Sequence, residues 1–551
     1  MNSGRWNFAC RNVVTRCLLF AGLAAVLPLS MSAQSSADAT MTTLRIDARA
    51  ATTPFPHFWE QTFGSGRAIL ALRQDYRDDL RTVKQATGFK SVRFHGIFMD
   101  DVGLYDPDRK AIKFAQMTNA DVAAPGTSDT GPYNFSYVDQ IYDGLLAEGV
   151  RPFVELSFMP KKMASDPNAL HPFWYKQNVS PPKDYAEWDR MIAAFAQHLV
   201  DRYGIDEVAQ WDFEVWNEPN IDFWAGNPKQ PTYFELYDHT ARALKKVSSR
   251  LRVGGPSTAQ AAWVAEFLRH CKQNNVPVDF VSTHVYGNDG AKDVFGTEEK
   301  IPRDRMVCRA VKKVHGEIVA SAYPKIPFIM SEYNASYANE PDVTDTVYMG
   351  PWLATTISQC DGMVEDMSYW TFSDVFEEQG VVRTPFYGGF GLIAEDSIPK
   401  PSLNAFAMLH RLGDRRIKLD SDSAIATRRE DGSLAVALWN YGAPYGSGPA
   451  YTPPPANAGP EKTFTLKLEG VAANAPVKIW RLDADHGNVI KAYDAMGRPA
   501  FPTREQIVKL RAAGKASPPE SSALKDGGLT ITIPPQGLVL ITTGGSTTRK
   551  R

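Results

Sequence analysis

Cysteine is scarce in this 551-residue chain: there are five, and Cys10 and Cys17 fall at its very start. The remaining three, Cys271, Cys308 and Cys360, are too few and too widely spaced for a disulfide framework and show no zinc-ligand pattern. One bridge with one thiol, or three buried thiols, both stay open. Charge of one sign is lacking too. With 60 Lys plus Arg against 62 Asp plus Glu the formal net charge is −2, and the terminal RKR is the one basic cluster. That balance excludes the basic face expected of a nucleic-acid or anionic-membrane binder. FGSGRA (63–68) has a Gly-x-Gly without a dinucleotide fingerprint. DADHGN (483–488) lacks the glycine at position six and the glutamate at twelve of a calcium loop. No HExxH or other close ligand spacing occurs, so a metal-free, cofactor-free chemistry is expected. There is no repeat of solenoid length.

Long apolar runs are also missing. The one near the N-terminus, Cys17 to Leu29, is broken by Pro28 and falls short of the roughly 20 residues of a membrane span. It follows Arg5, Arg11 and Arg16 and precedes small residues ending near Ala33. Residues 1–33 therefore read as a secretory signal peptide, and the protein as exported, periplasmic or extracellular. Cleavage removes three Arg and no acid, taking the formal charge from −2 to about −5. No membrane association is expected afterwards.

What is abundant is aromatic: 12 Trp, 21 Tyr and 28 Phe suggest stacking surfaces. From residue 53 to 410, short β-like apolar runs alternate with amphipathic segments such as DYAEWDRMIAAFAQHLVDRYG and TYFELYDHTARALKKVSSRL. The expected strands are 58–64, 90–96, 151–158, 210–217, 252–257, 279–286, 325–333 and 366–372. Eight parallel β/α units predict a (β/α)8 TIM barrel, whose site lies at the C-terminal strand ends. His95, Asn217, Glu218, His284, Tyr286, Glu332 and Trp370 all fall at such ends. From 411 to 551, segments such as AIATRRE, LAVALWNY, TFTLKLEG and LVLITTG predict a small all-β sandwich. Residues 34–52 are expected to supply it a strand, TTLRIDA.

Two carboxylates focus the chemistry. WDFEVWNEPNIDFW (211–224) sets Glu214 and Glu218 among aromatics, and Pro219 ends the strand there. Strand alternation would give Glu214, Trp216 and Glu218 one face, with Glu214 a scaffold acid deeper in the barrel. FIMSEYNAS places Glu332 at the end of another strand. Two carboxyls at one barrel mouth are what glycoside hydrolysis requires: a proton donor for the leaving oxygen and a nucleophile or base.

VRFHGIFMDDVGLY, PFVELSFMP, FEVWNEPNIDFWAG, DFVSTHVYG, SEYN, and YWTFSDVFEE followed by PFYGGFGLI occur in that order between about residues 58 and 393. Together they resemble glycoside hydrolase family 39, which includes β-xylosidases and α-L-iduronidases. WRLDADHGNVIKAYDAMGRPAFPT resembles the family's β-sandwich.

The resemblance implies a retaining exo-glycosidase with Glu218 as acid/base and Glu332 as nucleophile. Asn217 is expected on the sugar 2-hydroxyl, His284 and Tyr286 around the glycone, and Trp370 beneath the ring. Glu377 and Glu378 are expected to bind glycone hydroxyls; His57, His95, Phe158 and Trp224 complete the expected substrate contacts. The expected activity is a β-xylosidase releasing xylose from the non-reducing ends of xylo-oligosaccharides. The alternatives are another glycone on the same machine (α-L-arabinosyl, β-glucosyl or α-L-iduronosyl) or an inactive carbohydrate-binding protein. An oligosaccharide substrate, no nucleic acid and a monomeric state are expected.

Overall fold

The computed structural model describes residues 40–108, 131–442 and 459–544. The expected signal peptide lies outside the described residues, as do residues 34–39 of the expected sandwich segment.

Eight parallel strands close into a barrel: Thr62–Gly64, Ser91–Arg93, Arg151–Leu156, Asp212–Val215, Arg252–Thr258, Phe280–Tyr286, Phe328–Asn334 and Asp366–Tyr369, the last pairing with the first. Helices cover the outside because their apolar residues recur at spacings of three and four. In Tyr185–Tyr203 the buried positions are Trp188, Met191, Ile192, Phe195, Ala196 and Leu199. The Asp184 side chain caps the start, and Gly204 at φ 81° ends the helix. Trp188 Nε1 bridges to Thr240 Oγ1 at 2.8 Å on the neighbouring helix Lys229–Val247.

The first strand is shorter than its apolar run suggests. Phe58–Glu60 form a 3-10 turn, all three buried, because the aromatic rings pack on several sides at once rather than on one strand face. The strand then ends in a glycine for a steric reason: a Cβ on Gly64 would lie 2.1 Å from the Trp370 ring.

Two sheets form the sandwich. In one, Thr40–Asp47 runs parallel to Lys462–Glu469, which pairs with Gly528–Ile533. The other has seven strands, from Glu520–Ala523 at one edge to Thr52–Pro54 at the other. Leu44, Ile46, Leu466, Val436, Val539 and Ile541 fill the space between the sheets. The opposite face of the larger sheet is not solvated: Ala435, Ala437, Trp439, Leu538 and Leu540 belong to the same core as the barrel helices. Burial on both faces is why Leu434–Trp439 reads as a continuous apolar run instead of an alternation.

The C-terminal region is not all β. Between Pro476–Leu482 and Glu520–Ala523 it carries two helices, Val489–Ala495 and Arg504–Ala513. Asn488 caps the first, and Thr503 with Gln506 forms a capping box on the second. Val489, Ile490, Tyr493 and Leu510 bury against Phe386, Ala394 and Ile398. Of the two cysteine arrangements left open, the structure has the single bridge: Cys308–Cys360 joins helices Arg303–Val319 and Met349–Cys360, and Cys271 is a buried thiol.

Candidate active site

The fourth strand stops at Val215, and the alternation expected through Glu218 stops with it. Trp216 and Glu218 have φ of 72° and 44°, so the backbone turns left-handed twice within three residues. Trp216 swings into the wall, its Nε1 donating to Phe223 O at 2.7 Å. Asn217 and Glu218 are left facing the barrel mouth. The turn is held from the fifth strand, where Ser257 O accepts from the Glu218 N–H at 2.8 Å.

Arg93, at the end of the second strand, organises the floor. It is fully buried, and its Nε donates to Glu214 Oε2 at 2.6 Å, Nη1 to Glu332 Oε1 at 2.6 Å and Nη2 to Asn217 Oδ1 at 2.9 Å; Nη2 also lies 2.8 Å from Glu155 Oε2. Burial alone would weaken the guanidinium's hold on its proton, but the charges of Glu155, Glu214 and Glu332 reverse this and raise its pKa. Sequence reasoning missed Arg93. The one local sign was a charged residue, Arg93, inside the apolar strand expected at 90–96.

Glu332 is gripped on both oxygens, since Tyr286 Oη donates to Oε2 at 2.7 Å opposite Arg93 on Oε1. The sixth and seventh strands pair so that His284 sits beside Glu332, after a register shift between Thr283 and His284. His284 Nδ1 lies 3.0 Å from Glu218 Oε1 and 3.6 Å from Glu332 Oε1. Carboxyl oxygens of Glu218 and Glu332 lie within 4.8 Å of each other.

The proton inventory is asymmetric. Burial, then the negative charges of Glu332 and Asp289, push Glu218 well above the usual carboxyl range. Burial, then the positive charge of Arg93, pushes His284 far below the usual imidazole range, so the ring is neutral. Its Nε2 faces the Arg93 donor at 3.5 Å and Ser331 Oγ at 3.1 Å. This assigns the ring proton to Nδ1, donating to Glu218 Oε1, and leaves Glu218 Oε2 for the acid's proton.

A cavity of about 300 Å³ opens over the pair, lined by His95, Asn217, Glu218, Tyr286, Glu332, Trp370 and Glu378 among the expected residues. His95 holds Glu155 through Nδ1 at 2.7 Å, and its Nε2 sits 3.9 Å from Glu378 Oε1. Burial and the charge of Glu332 raise the Glu378 pKa strongly.

Four expected contacts lie elsewhere. Glu377 has φ 68°, which turns it away from Glu378, and it is tied to Arg67 (3.1 Å) and Arg73 (2.8 Å) beside a neighbouring cavity of about 280 Å³. His57 precedes the N-terminal end of the first strand, away from the mouth; it bonds Glu60 at 2.7 Å and stacks on Trp59. Phe158 and Trp224 are fully buried behind the wall: Phe158 stacks on Phe223, and Trp224 packs edge-on against Trp216 with its Nε1 on Thr232. The apolar surface facing the cavity is instead Phe173, Ile221 and Phe223, with Gln260, Asp289 and Tyr337 as further lining residues that sequence reasoning missed. All lie on loops after strands, and nothing in their local pattern marks them.

The model of "Glycosyl hydrolases family 39" matches residues 42–528. The chain is 37% identical to the β-xylosidase of Geobacillus stearothermophilus over 486 residues, covering 87% of this chain and 90% of that one. It is likewise 37% identical over 472 residues to a β-xylosidase of Caldicellulosiruptor saccharolyticus, covering 82% and 87%. Among solved structures, a monomeric β-xylosidase from Caulobacter crescentus CB15 superposes with a TM-score of 0.79 at 33% identity, covering 91% of this chain and 99% of that one.

Proposed function

The chain belongs to glycoside hydrolase family 39, and from that premise we propose that it is a retaining β-xylosidase acting at the non-reducing ends of xylo-oligosaccharides. One observation carries the mechanism: two carboxyls within 4.8 Å, one burdened with a proton and the other gripped by cationic and phenolic donors. That spacing suits double displacement, for which roughly 5–5.5 Å is typical, rather than the roughly 6.5–9.5 Å of an inverting enzyme.

Glu218 protonates the departing oxygen while Glu332 attacks the anomeric carbon; the leaving bond breaks and a glycosyl ester forms. Glu218, now a carboxylate, takes a proton from water, which attacks the same carbon and frees Glu332. Because Asn217 Oδ1 accepts from Arg93, its amide N–H groups are left to donate, as the 2-hydroxyl requires when oxocarbenium character develops. Trp370 supplies an apolar floor and Glu378 a partner for a vicinal diol.

Among the described residues lining the cavity there is no Lys or Arg, and four are carboxylic acids. This supports a neutral glycone over an iduronosyl unit, whose carboxylate would seek a cation. Hydrolysis of a panel of aryl xyloside, arabinoside, glucoside and galactoside tests the choice; xyloside should be preferred, and a protein that binds oligosaccharide yet cleaves none of the panel is not an enzyme of this kind. For the roles, Glu332→Ala should be inactive and regain turnover with azide, giving an α-xylosyl azide. Unaided residual activity with retained configuration would remove Glu332 as nucleophile.

Export is part of the same reading, supported by the arginine-led apolar N-terminus and by the Cys308–Cys360 bridge, which suits an oxidising compartment. N-terminal sequencing of the mature protein should begin near residue 34. We also read the protein as a monomer, to be checked by light scattering.

A further inference from the structure

Beyond the fifth strand the chain follows a costly path. Ser257, Gln260, Ala261 and Trp263 have φ of 48°, 60°, 52° and 62°, and none is glycine. Such a concentration persists only where surrounding contacts over-determine it, and it is typical of functional loops. Here the contacts run to the segment that carries Glu218. Besides the Glu218 N–H to Ser257 O bond, Ser257 Oγ donates to Trp216 O at 2.9 Å. Asn220 donates through Nδ2 to Ala259 O at 3.1 Å and accepts through Oδ1 from Ala259 N–H at 2.9 Å. Two loops from adjacent strands therefore form one unit.

Gln260 stands in that unit and lines the cavity beside Glu218, half-buried. Among the described residues its amide has no hydrogen-bond partner, so it contributes little to holding the loop. Tyr337 lines the same cavity with 57% of its surface exposed, edge-on to Tyr286 at 6.2 Å between ring centroids. The glycone end is closed by the buried Trp370 and His95 and the half-buried Glu378. An acid delivers its proton to the oxygen that departs, so accessible groups next to Glu218 face the departing unit.

We propose that Gln260 and Tyr337 bind the departing sugar, and that the strained loop exists to hold the Gln260 amide in fixed relation to the acid. A carboxamide donates and accepts at once, which suits a sugar diol, and the phenol ring gives a pyranose an apolar face. The inference rests on the β-xylosidase reading.

Xylobiose and methyl β-xyloside share the glycone and both need the proton of Glu218, but only xylobiose carries a sugar as leaving group. Gln260→Gly tolerates the φ of 60° and should lower kcat/KM for xylobiose about five- to tenfold, the loss of a hydrogen bond or two. Methyl β-xyloside should stay within about twofold. Gln260→Asn, which also tolerates the backbone, should fall between, and Tyr337→Ala should follow the same pattern. Equal losses on both substrates would mean that the loop only positions Glu218, and no loss on xylobiose would mean that the amide touches nothing; either overturns the proposal. If the wild type cleaves neither substrate, the activity reading fails first, a distinct result.

Discussion

His284 Nδ1 stands 3.0 Å from Glu218 Oε1, and the same ring turns its other nitrogen toward Arg93. The imidazole thus links the cation that holds Glu332 to Glu218 while carrying no charge itself. A protonated ring here would favour the ionised form of Glu218, the opposite of what a proton donor needs.

Replacing His284 with Phe should therefore misplace the acid without removing it. Methyl β-xyloside, whose leaving group needs the proton, should lose kcat/KM by roughly 10- to 100-fold. Dinitrophenyl β-xyloside, whose leaving group departs unaided, should change little. A uniform loss on both would argue that His284 serves the glycone or Glu332 instead.

The alkaline limb of the pH profile should respond to Asp289. This buried acid, itself pushed up to about 7 by burial, is one of the negative neighbours that raise the pKa of Glu218. With Glu218 as the proposed acid, activity needs it protonated and falls as pH rises through its pKa. Removing a like charge lowers that pKa, so Asp289→Asn should move the alkaline limb of kcat/KM to lower pH. A shift to higher pH, or none, contradicts the assignment.

Arg93 offers a test of stability and chemistry together. Arg93→Met leaves the buried Glu155, Glu214 and Glu332 without their shared counter-charge, and should cost about 3–5 kcal/mol. Arg93→Lys keeps the charge but not the fork that serves four residues; it should melt closer to wild type while losing activity on the order of a hundredfold. Thermal melts and kcat on an aryl xyloside separate the two effects.

Buried acids away from the mouth make stability pH-dependent. Asp366, half-buried against Thr62, is raised by desolvation from 3.8 to about 7. The folded protein therefore holds a proton there that the unfolded chain gives up. The associated stability is complete below about pH 3.8 and is lost as pH rises through about 7. Asp366→Asn, which keeps a neutral group, should flatten the decline of Tm between about pH 4 and about pH 7, the span of that window. An unchanged slope would show that Asp366 does not titrate in it.

Much of the site was legible because barrel chemistry sits where an apolar run ends. Glu218 before Pro219 and Glu332 after FIMS need no knowledge of the partner strand. Arg93 was a different problem: its meaning lies in four residues from three other strands, and only closure of the barrel brings them together. Period-two reasoning failed at Trp216 because it presumes a strand that continues, and a positive φ at a tryptophan leaves no local mark. Glu377 and Glu378 read as a pair, yet one backbone turn sends one to the cavity and the other to two arginines. The helices at 489–513 were within reach, since Thr503 and Gln506 spell a capping box, but the β-strands on either side masked them.

The face of the larger sandwich sheet that joins the barrel core determines what kind of partnership this is. Domains joined by exposed, flexible linkers with few contacts between them can move or be separated. Here Trp439 and Leu540 are as much interior to the catalytic body as to the sandwich. The chain builds the sandwich from both ends, Thr40–Asp47 and Thr52–Pro54 before the barrel and the remaining strands after it. The sandwich is thus a masonry course rather than an attachment, and modular engineering has no seam to cut along.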